Sequence, residues 1–157
     1  DLAHSHRFVT LFYSDYDPRN RRLRYANAAH NPPLIWRAHQ QCVMRLDAPG
    51  LLIGLQLDAD YGCEEIVLEP GDVILYYTDG VTEALGFAGD RFDESRLIST
   101  LQGACRSGLA AQGILDHLFK RLDRFVGAGH QLQDDASMVV LKIPEELAVP
   151  HLSLPSA

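Results

Sequence analysis

The order of apolar and polar positions predicts a strand-rich first half, two helices and a closing strand. Phe8 to Tyr13 is β-branched, aromatic or apolar throughout. That composition predicts a strand beginning at Arg7 and covered on both faces. Asp17-Pro18-Arg19-Asn20 has turn chemistry, with proline pre-setting φ and asparagine tolerating positive φ. In Leu23-Arg24-Tyr25 an arginine sits between two apolar residues, as in a half-buried strand, so the two runs predict a β-hairpin. Further strands are predicted over Leu34–Arg37, Gln41–Leu46 and Glu64–Leu68, with an irregular stretch between Asp47 and Tyr61. Glu69-Pro70-Gly71-Asp72 places Pro and Gly at the central positions of a type II turn. Val73–Tyr77 then runs apolar, as a buried strand does.

After Gly80 the periodicity changes. Asp93 is placed to cap a helix, with Phe92 and Leu97 as a hydrophobic staple. Over Ala110–Val126 the residues Ala111, Leu115, Leu118, Leu122 and Phe125 recur at spacings of three and four, which predicts a second helix stopped by Gly127 and Gly129. Met138–Leu141 is a last buried strand, and from Pro144 onward three prolines without periodicity predict a loose tail. Consecutive strands joined by tight turns imply antiparallel pairing and an α+β layered domain.

Composition narrows the classes. The 157 residues are 46% hydrophobic and 22% charged, ordinary for one globular domain. Fourteen basic against 21 acidic residues give a net charge of -7 without a basic run, which argues against a nucleic-acid partner. Cys42, Cys63 and Cys105 are widely spaced and show no CxxC pattern, so neither a zinc site nor a disulfide framework is indicated, and free thiols in a reducing cytosol are expected. Apolar stretches fall far short of the roughly 20 residues of a membrane span, and no basic-then-apolar leader is present, which predicts a cytoplasmic protein without membrane insertion.

Two segments can carry chemistry. A buried strand delivers Asp79 at its end, followed by Gly80, where the backbone can turn sharply and approach a ligand. A carboxylate held there suits Mg²⁺ or Mn²⁺, although Asp-Gly after a strand is also a common turn. Asp134 and Asp135 enter the last strand side by side, where a cation would offset the cost of burying charge. A period of two would turn only one of them toward a shared site. The alternative there is a solvated loop with a local turn bond from Asp135 or Ser137. His4 and His6 could form a metal-binding strand pair, against the simpler reading of a mobile terminus. His30 reads as shaping its loop through hydrogen bonds, and Trp36 as core.

Taken together, the segments are more specific than either alone. Glu69-Pro70-Gly71-Asp72 through Thr78-Asp79-Gly80-Val81-Thr82-Glu83-Ala84, followed after two helices by Asp134-Asp135-Ala136-Ser137, resembles the SpoIIE-like metal-dependent (PPM-type) Ser/Thr protein phosphatases. Arg7–Tyr13, Leu23-Arg24-Tyr25-Ala26-Asn27-Ala28-Ala29-His30-Asn31-Pro32-Pro33 and Ile53-Gly54-Leu55 match in the same order. The resemblance implies an α-β-β-α sandwich of mostly antiparallel sheets, with residues 1–144 a partial phosphatase domain and 145–157 a tail. It implies two Mn²⁺ or Mg²⁺ ions in the complete domain, whose activated water attacks a phosphoserine or phosphothreonine. Asp79 would be one metal ligand and Asp134 the other, with Asp135 the alternative assignment.

Ala29 and Arg21 stand where the family usually or often has glycine, which predicts local backbone changes. The family's earlier aspartate-bearing segments have no counterpart here and would precede Asp1. This chain alone is therefore expected to be inactive. The implied partner is a phosphorylated regulatory protein of the anti-anti-sigma (STAS) type, and the edge of the strand at Arg7 is a predicted site of self-association. A non-catalytic interaction module on the same scaffold is the competing reading.

Overall fold

The computed structural model describes residues 8–127 and 132–145. His4, His6, Arg7, Gly129 and, apart from Glu145, the tail of residues 145–157 lie outside the described residues. The described strands are β1 (Leu11–Asp17), β2 (Arg22–Ala28), β3 (Leu34–Arg37), β4 (Cys42–Arg45), β5 (Glu64–Val67), β6 (Val73–Tyr77) and β7 (Met138–Lys142). Between β6 and β7 come the helices α1 (Asp79–Thr82), α2 (Asp93–Arg106) and α3 (Ala111–Val126). The strands form two sheets, in the orders β1-β2-β5 and β4-β3-β6-β7, and the pairing within them is antiparallel.

Strand alternation sorts the side chains into two cores. From β3 and β6, Leu34, Trp36, Val73, Leu75 and Tyr77 point toward the helices, where Phe92, Leu97 and Leu101 of the α2 segment and Ile114, Leu118 and Leu122 of α3 meet them. The residues between them in the same strands, Ile35 and Ile74, point the other way and meet Leu23 and Tyr25 of β2, with Leu46, Leu68 and Ile143 at the margins. A hydrogen bond of 3.0 Å between the Ser14 and Tyr76 hydroxyls joins the two sheets. The described residues thus supply a sheet, a second sheet and a helical layer, three layers of an α-β-β-α sandwich.

Local rules explain most of the elements. In the turn before β6, Gly71 has φ +83° and the Asp72 amide donates to the Glu69 carbonyl at 3.1 Å, the type II geometry expected of Pro-Gly. The Asp72 side chain is fully buried; its Oδ1 accepts the Ala38 amide at 2.9 Å and its Oδ2 the Glu69 amide at 2.8 Å. The Arg37 guanidinium lies 3.3 Å from Asp72 Oδ2, so the buried charge is both paired and hydrogen-bonded. Asp93 accepts the Arg96 amide at 2.9 Å, the predicted capping bond, while Phe92 and Leu97 are buried as the staple requires. Gly127, at φ +91°, ends α3 and donates its amide to the Asp123 carbonyl at 3.0 Å.

Two expectations need correction. Among the described residues the first strand begins at Leu11, with Phe8, Val9 and Thr10 outside it apart from an isolated bridge of Val9 to Ile53. It is covered on one face: Leu11, Tyr13 and Asp15 are exposed and alternate with half-buried Phe12, Ser14 and Tyr16. An apolar run does not by itself show that both faces are covered. Second, β7 begins at Met138, where the sequence placed it, and Asp134 and Asp135 lie in the preceding loop, the alternative reading, so the period-two argument does not apply to them. Ala29 and Arg21 both hold left-handed backbone, at φ +55° and +58°.

The cysteines are free, with Cys63 exposed and Cys42 and Cys105 half-buried; burial pushes the Cys105 thiol up to about 12 despite the opposing charge of Lys142. Among the described residues no helix is long and apolar enough to cross a membrane.

Candidate metal and phosphoryl site

The candidate site forms where the end of β6 meets the approach to β7. These strands pair with Tyr77 opposite Met138, and the pairing continues past both ends. The Thr78 amide donates to the Ser137 carbonyl at 3.1 Å, and the Ser137 amide donates to Thr78 Oγ1 at 3.0 Å. That same hydroxyl donates to the Asp135 carbonyl at 3.0 Å. One threonine thus fastens the Asp79 segment to the Asp134-Asp135 segment.

Gly80 completes the fit. A Cβ built there would stand 2.5 Å from the Asp135 carbonyl oxygen, so a side chain at position 80 would push the two segments apart. Glycine is required here for close approach. Gly80 sits in the first turn of α1, where the Glu83 amide donates to the Asp79 carbonyl at 2.8 Å.

The predicted residues are placed as follows. Asp79 is exposed at the start of α1, where its Oδ1 accepts the Gly80 amide at 3.0 Å. Asp134 and Asp135 are exposed, and Asp134 Oδ1 accepts the Asp135 amide at 2.8 Å. The fold brings the backbones of the two segments into direct contact. It directs the Asp135 carbonyl, through Thr78 and Gly80, onto the β6 end, while Asp134 lines an adjoining cleft of about 120 Å³. Gly80, Glu83, Arg91 and Gln133 also line that cleft. A second cavity, of about 140 Å³, is lined by His30, Tyr76, Thr78 and Ser137 among others.

In donor type, the site fits a hard divalent cation: carboxylates at the end of a buried strand beside a glycine that admits close approach. In number the set is partial, because among the described residues no three or more His, Cys, Asp or Glu side chains are grouped so as to hold a metal ion.

Three residues were not singled out from sequence. Thr78 and Glu83 lie inside the matched Thr78–Ala84 segment, so their presence was legible and their roles were not. Arg91 belongs to no motif and reaches the cleft only because Leu85 and Arg91 form an antiparallel bridge. His30 behaves as expected. Its amide donates to Asn27 Oδ1 at 2.8 Å, Asn27 Nδ2 returns a bond to its carbonyl at 2.9 Å, and its Nδ1 lies 3.0 Å from Thr10 Oγ1.

The two-sheet and helix architecture, with its acidic segments joined at one end, is that of a known class. A family model described as stage II sporulation protein E (SpoIIE) matches residues 1–144, and the chain belongs to that family. It is 33% identical over 138 residues to the phosphoserine phosphatase RsbU of Bacillus subtilis, covering 86% of this chain and 39% of RsbU. It is 30% identical over 134 residues to the protein IcfG of Synechocystis, covering 85% of this chain and 20% of IcfG. Among solved structures, the SiaA-PP2C domain of Pseudomonas aeruginosa superposes with a TM-score of 0.70 at 22% identity, over 84% of this chain and 50% of that one. The Mn-presoaked phosphatase domain of SpoIIE from Bacillus subtilis does so with a TM-score of 0.64 at 22% identity, over 88% and 58%. The chain therefore spans well under two thirds of these relatives.

Proposed function

We propose that the full-length protein is a metal-dependent protein phosphatase that releases phosphate from phosphoserine or phosphothreonine. Its substrate in this reading is a small phosphorylated regulatory protein of the STAS type. The observation that carries the reading is membership of the SpoIIE family over residues 1–144 together with the union of the Asp79 and Asp134-Asp135 segments through Thr78. RsbU, a phosphoserine phosphatase by name, supports the same reaction class.

Asp79 and Asp134 would hold Mn²⁺ or Mg²⁺, with Asp135 the alternative to Asp134. Bound divalent ions supply an acidified water and offset the charge on the phosphoryl oxygens. The chain's own contribution is placement. Thr78 and Gly80 hold the two acidic segments at a fixed separation, and the β6–β7 pairing makes that separation rigid. The partial donor set among the described residues supports the further reading that this chain is inactive by itself. A cytoplasmic location fits a substrate of this kind. In the described sheet β1 is an edge strand, hydrogen-bonded to β2, and its other edge is where self-association would occur.

The test is manganese-dependent phosphate release by the full-length protein from a phosphoserine substrate. The Asp79→Asn variant should lose about a hundredfold or more in rate, because such ions lower the barrier by several kcal/mol. Full activity in that variant would remove Asp79 from the site. A folded full-length protein that binds no manganese and releases no phosphate would favour the non-catalytic interaction module instead.

A further inference from the structure

We propose that Arg91 grips the phosphoryl group of the substrate at the mouth of the cleft beside Gly80 and Asp134, an assignment that rests on the phosphatase reading above. Arg91 is the one cationic side chain among the described residues lining that cleft; Glu83 and Asp134 are its acidic members. At about 120 Å³ the space suits a compact tetrahedral anion better than an extended peptide side chain.

The backbone around Arg91 is held from several sides. Leu85 and Arg91 bridge in antiparallel fashion, the Phe92 amide donates to the Ala84 carbonyl at 2.8 Å, and the Gly86 amide donates to the Asp90 carbonyl at 2.8 Å. Gly89 turns the loop at φ +79°, and a Cβ on Gly86 would come within 2.9 Å of the Phe125 ring. The next residue, Phe92, is anchored in the core at 2% exposure. The Arg96 guanidinium donates to the Arg91 carbonyl and is itself 2.7 Å from Asp90.

The Arg91 side chain contrasts with this fixed backbone. It is 64% exposed and is paired at 3.1 Å with Glu83, which is 57% exposed. An exposed pair of this kind contributes little to stability, so a doubly charged phosphoryl group can displace Glu83 from the guanidinium. Arginine presents two parallel N–H donors that match two phosphoryl oxygens, a geometry that lysine cannot reproduce. Glu83 then acts as a placeholder that holds the guanidinium beside the cleft while no substrate is bound.

The experiment compares full-length wild-type, Arg91→Ala and Arg91→Lys proteins on p-nitrophenyl phosphate and on a phosphoserine peptide, with manganese present. Inhibition by inorganic phosphate and its calorimetric titration in magnesium buffer are measured alongside, and melting curves check folding. In Arg91→Ala, KM for both substrates and the inhibition constant of phosphate should rise together by about tenfold or more, the loss expected for a hydrogen-bonded charge pair. Arg91→Lys should recover part of that loss. Unchanged KM and phosphate affinity in a folded Arg91→Ala protein would overturn the assignment. So would a defect confined to the peptide, which would mean that Arg91 reads acidic neighbours of the phosphoserine. If wild type itself releases no phosphate, the phosphatase reading fails, and the calorimetric comparison still decides whether Arg91 binds the anion.

Discussion

The two sheets of this protein are built from similar residues and differ in what covers them. In β3 all four residues are buried, and in β6 four of five are, because one face meets α2 and α3 and the other meets the second sheet. In β1 and β5 no residue is fully buried; the inward positions are half-covered and the outward ones, such as Leu11, Tyr13 and Val67, face away from both cores. The charged residues follow the same division. Arg37 and Asp72 make a pair inside the covered sheet, at 9% and 0% side-chain exposure, whereas Arg22 and Glu65 pair on the open one at 49% and 36%. The candidate site grows from the end of β6, a strand packed on both faces, where it pairs with the edge strand β7.

The largest test of this contrast is electrostatic. Asp72→Ala should destabilise the protein by about 3–5 kcal/mol, because it leaves two amides without their acceptor and takes the nearest carboxylate from the buried Arg37 guanidinium. Arg37 keeps the Val67 carbonyl and the more distant Glu69. Glu65→Ala should cost about 1 kcal/mol or less, as exposed pairs do. Urea unfolding of the two variants measures both, and equal losses would show that the sheets are not protected differently. Next comes packing. Leu118→Ala, in the helical layer and 1% exposed, should cost about 2–5 kcal/mol. Leu11→Ala, 48% exposed on the open sheet, should stay within about 0.5 kcal/mol. A large loss at Leu11 would mean that the outer face is covered in solution. The smallest effect sharpens the picture at the loop between the sheets. Ala29 holds φ +55° with a side chain that disfavours it, so Ala29→Gly should stabilise by about 1 kcal/mol and raise Tm by roughly 3 °C. A lower Tm would show that the loop around His30 gains more from the stiffness of alanine than it loses to strain.

Much of the covered sheet was legible in advance. Val73–Tyr77 is a short apolar run bounded by Pro-Gly and Asp-Gly, and α3 repeats its leucines at helical spacing, so length, turn chemistry and period agree. The open sheet was harder to read. Phe8–Tyr13 contains as many apolar residues as a covered strand, and composition does not show whether a neighbour lies over Leu11 and Tyr13. The four residues of α1 are too few to display a period. At the site, Asp79, Asp134 and Asp135 could be singled out as carboxylates near strand ends. The choice between a strand and a loop position for Asp134 and Asp135 stayed open, because both readings fit a strand that starts at Met138. Arg91 gave no signal, since its nearness to Asp134 follows from a loop that folds back across Leu85.

The sequence by itself determined the alternation, the caps and turns, and the family segments in their order, because each rests on interactions among residues a few positions apart. Only the tertiary structure decided that Thr78 meets Asp135, 57 positions away. It also decided that Gly80 is closed upon by a carbonyl and that an arginine stands beside an acidic cleft. Those contacts exist only once β6 and β7 pair with Tyr77 opposite Met138, and a slip of one residue in that register would turn the side chains to the opposite face.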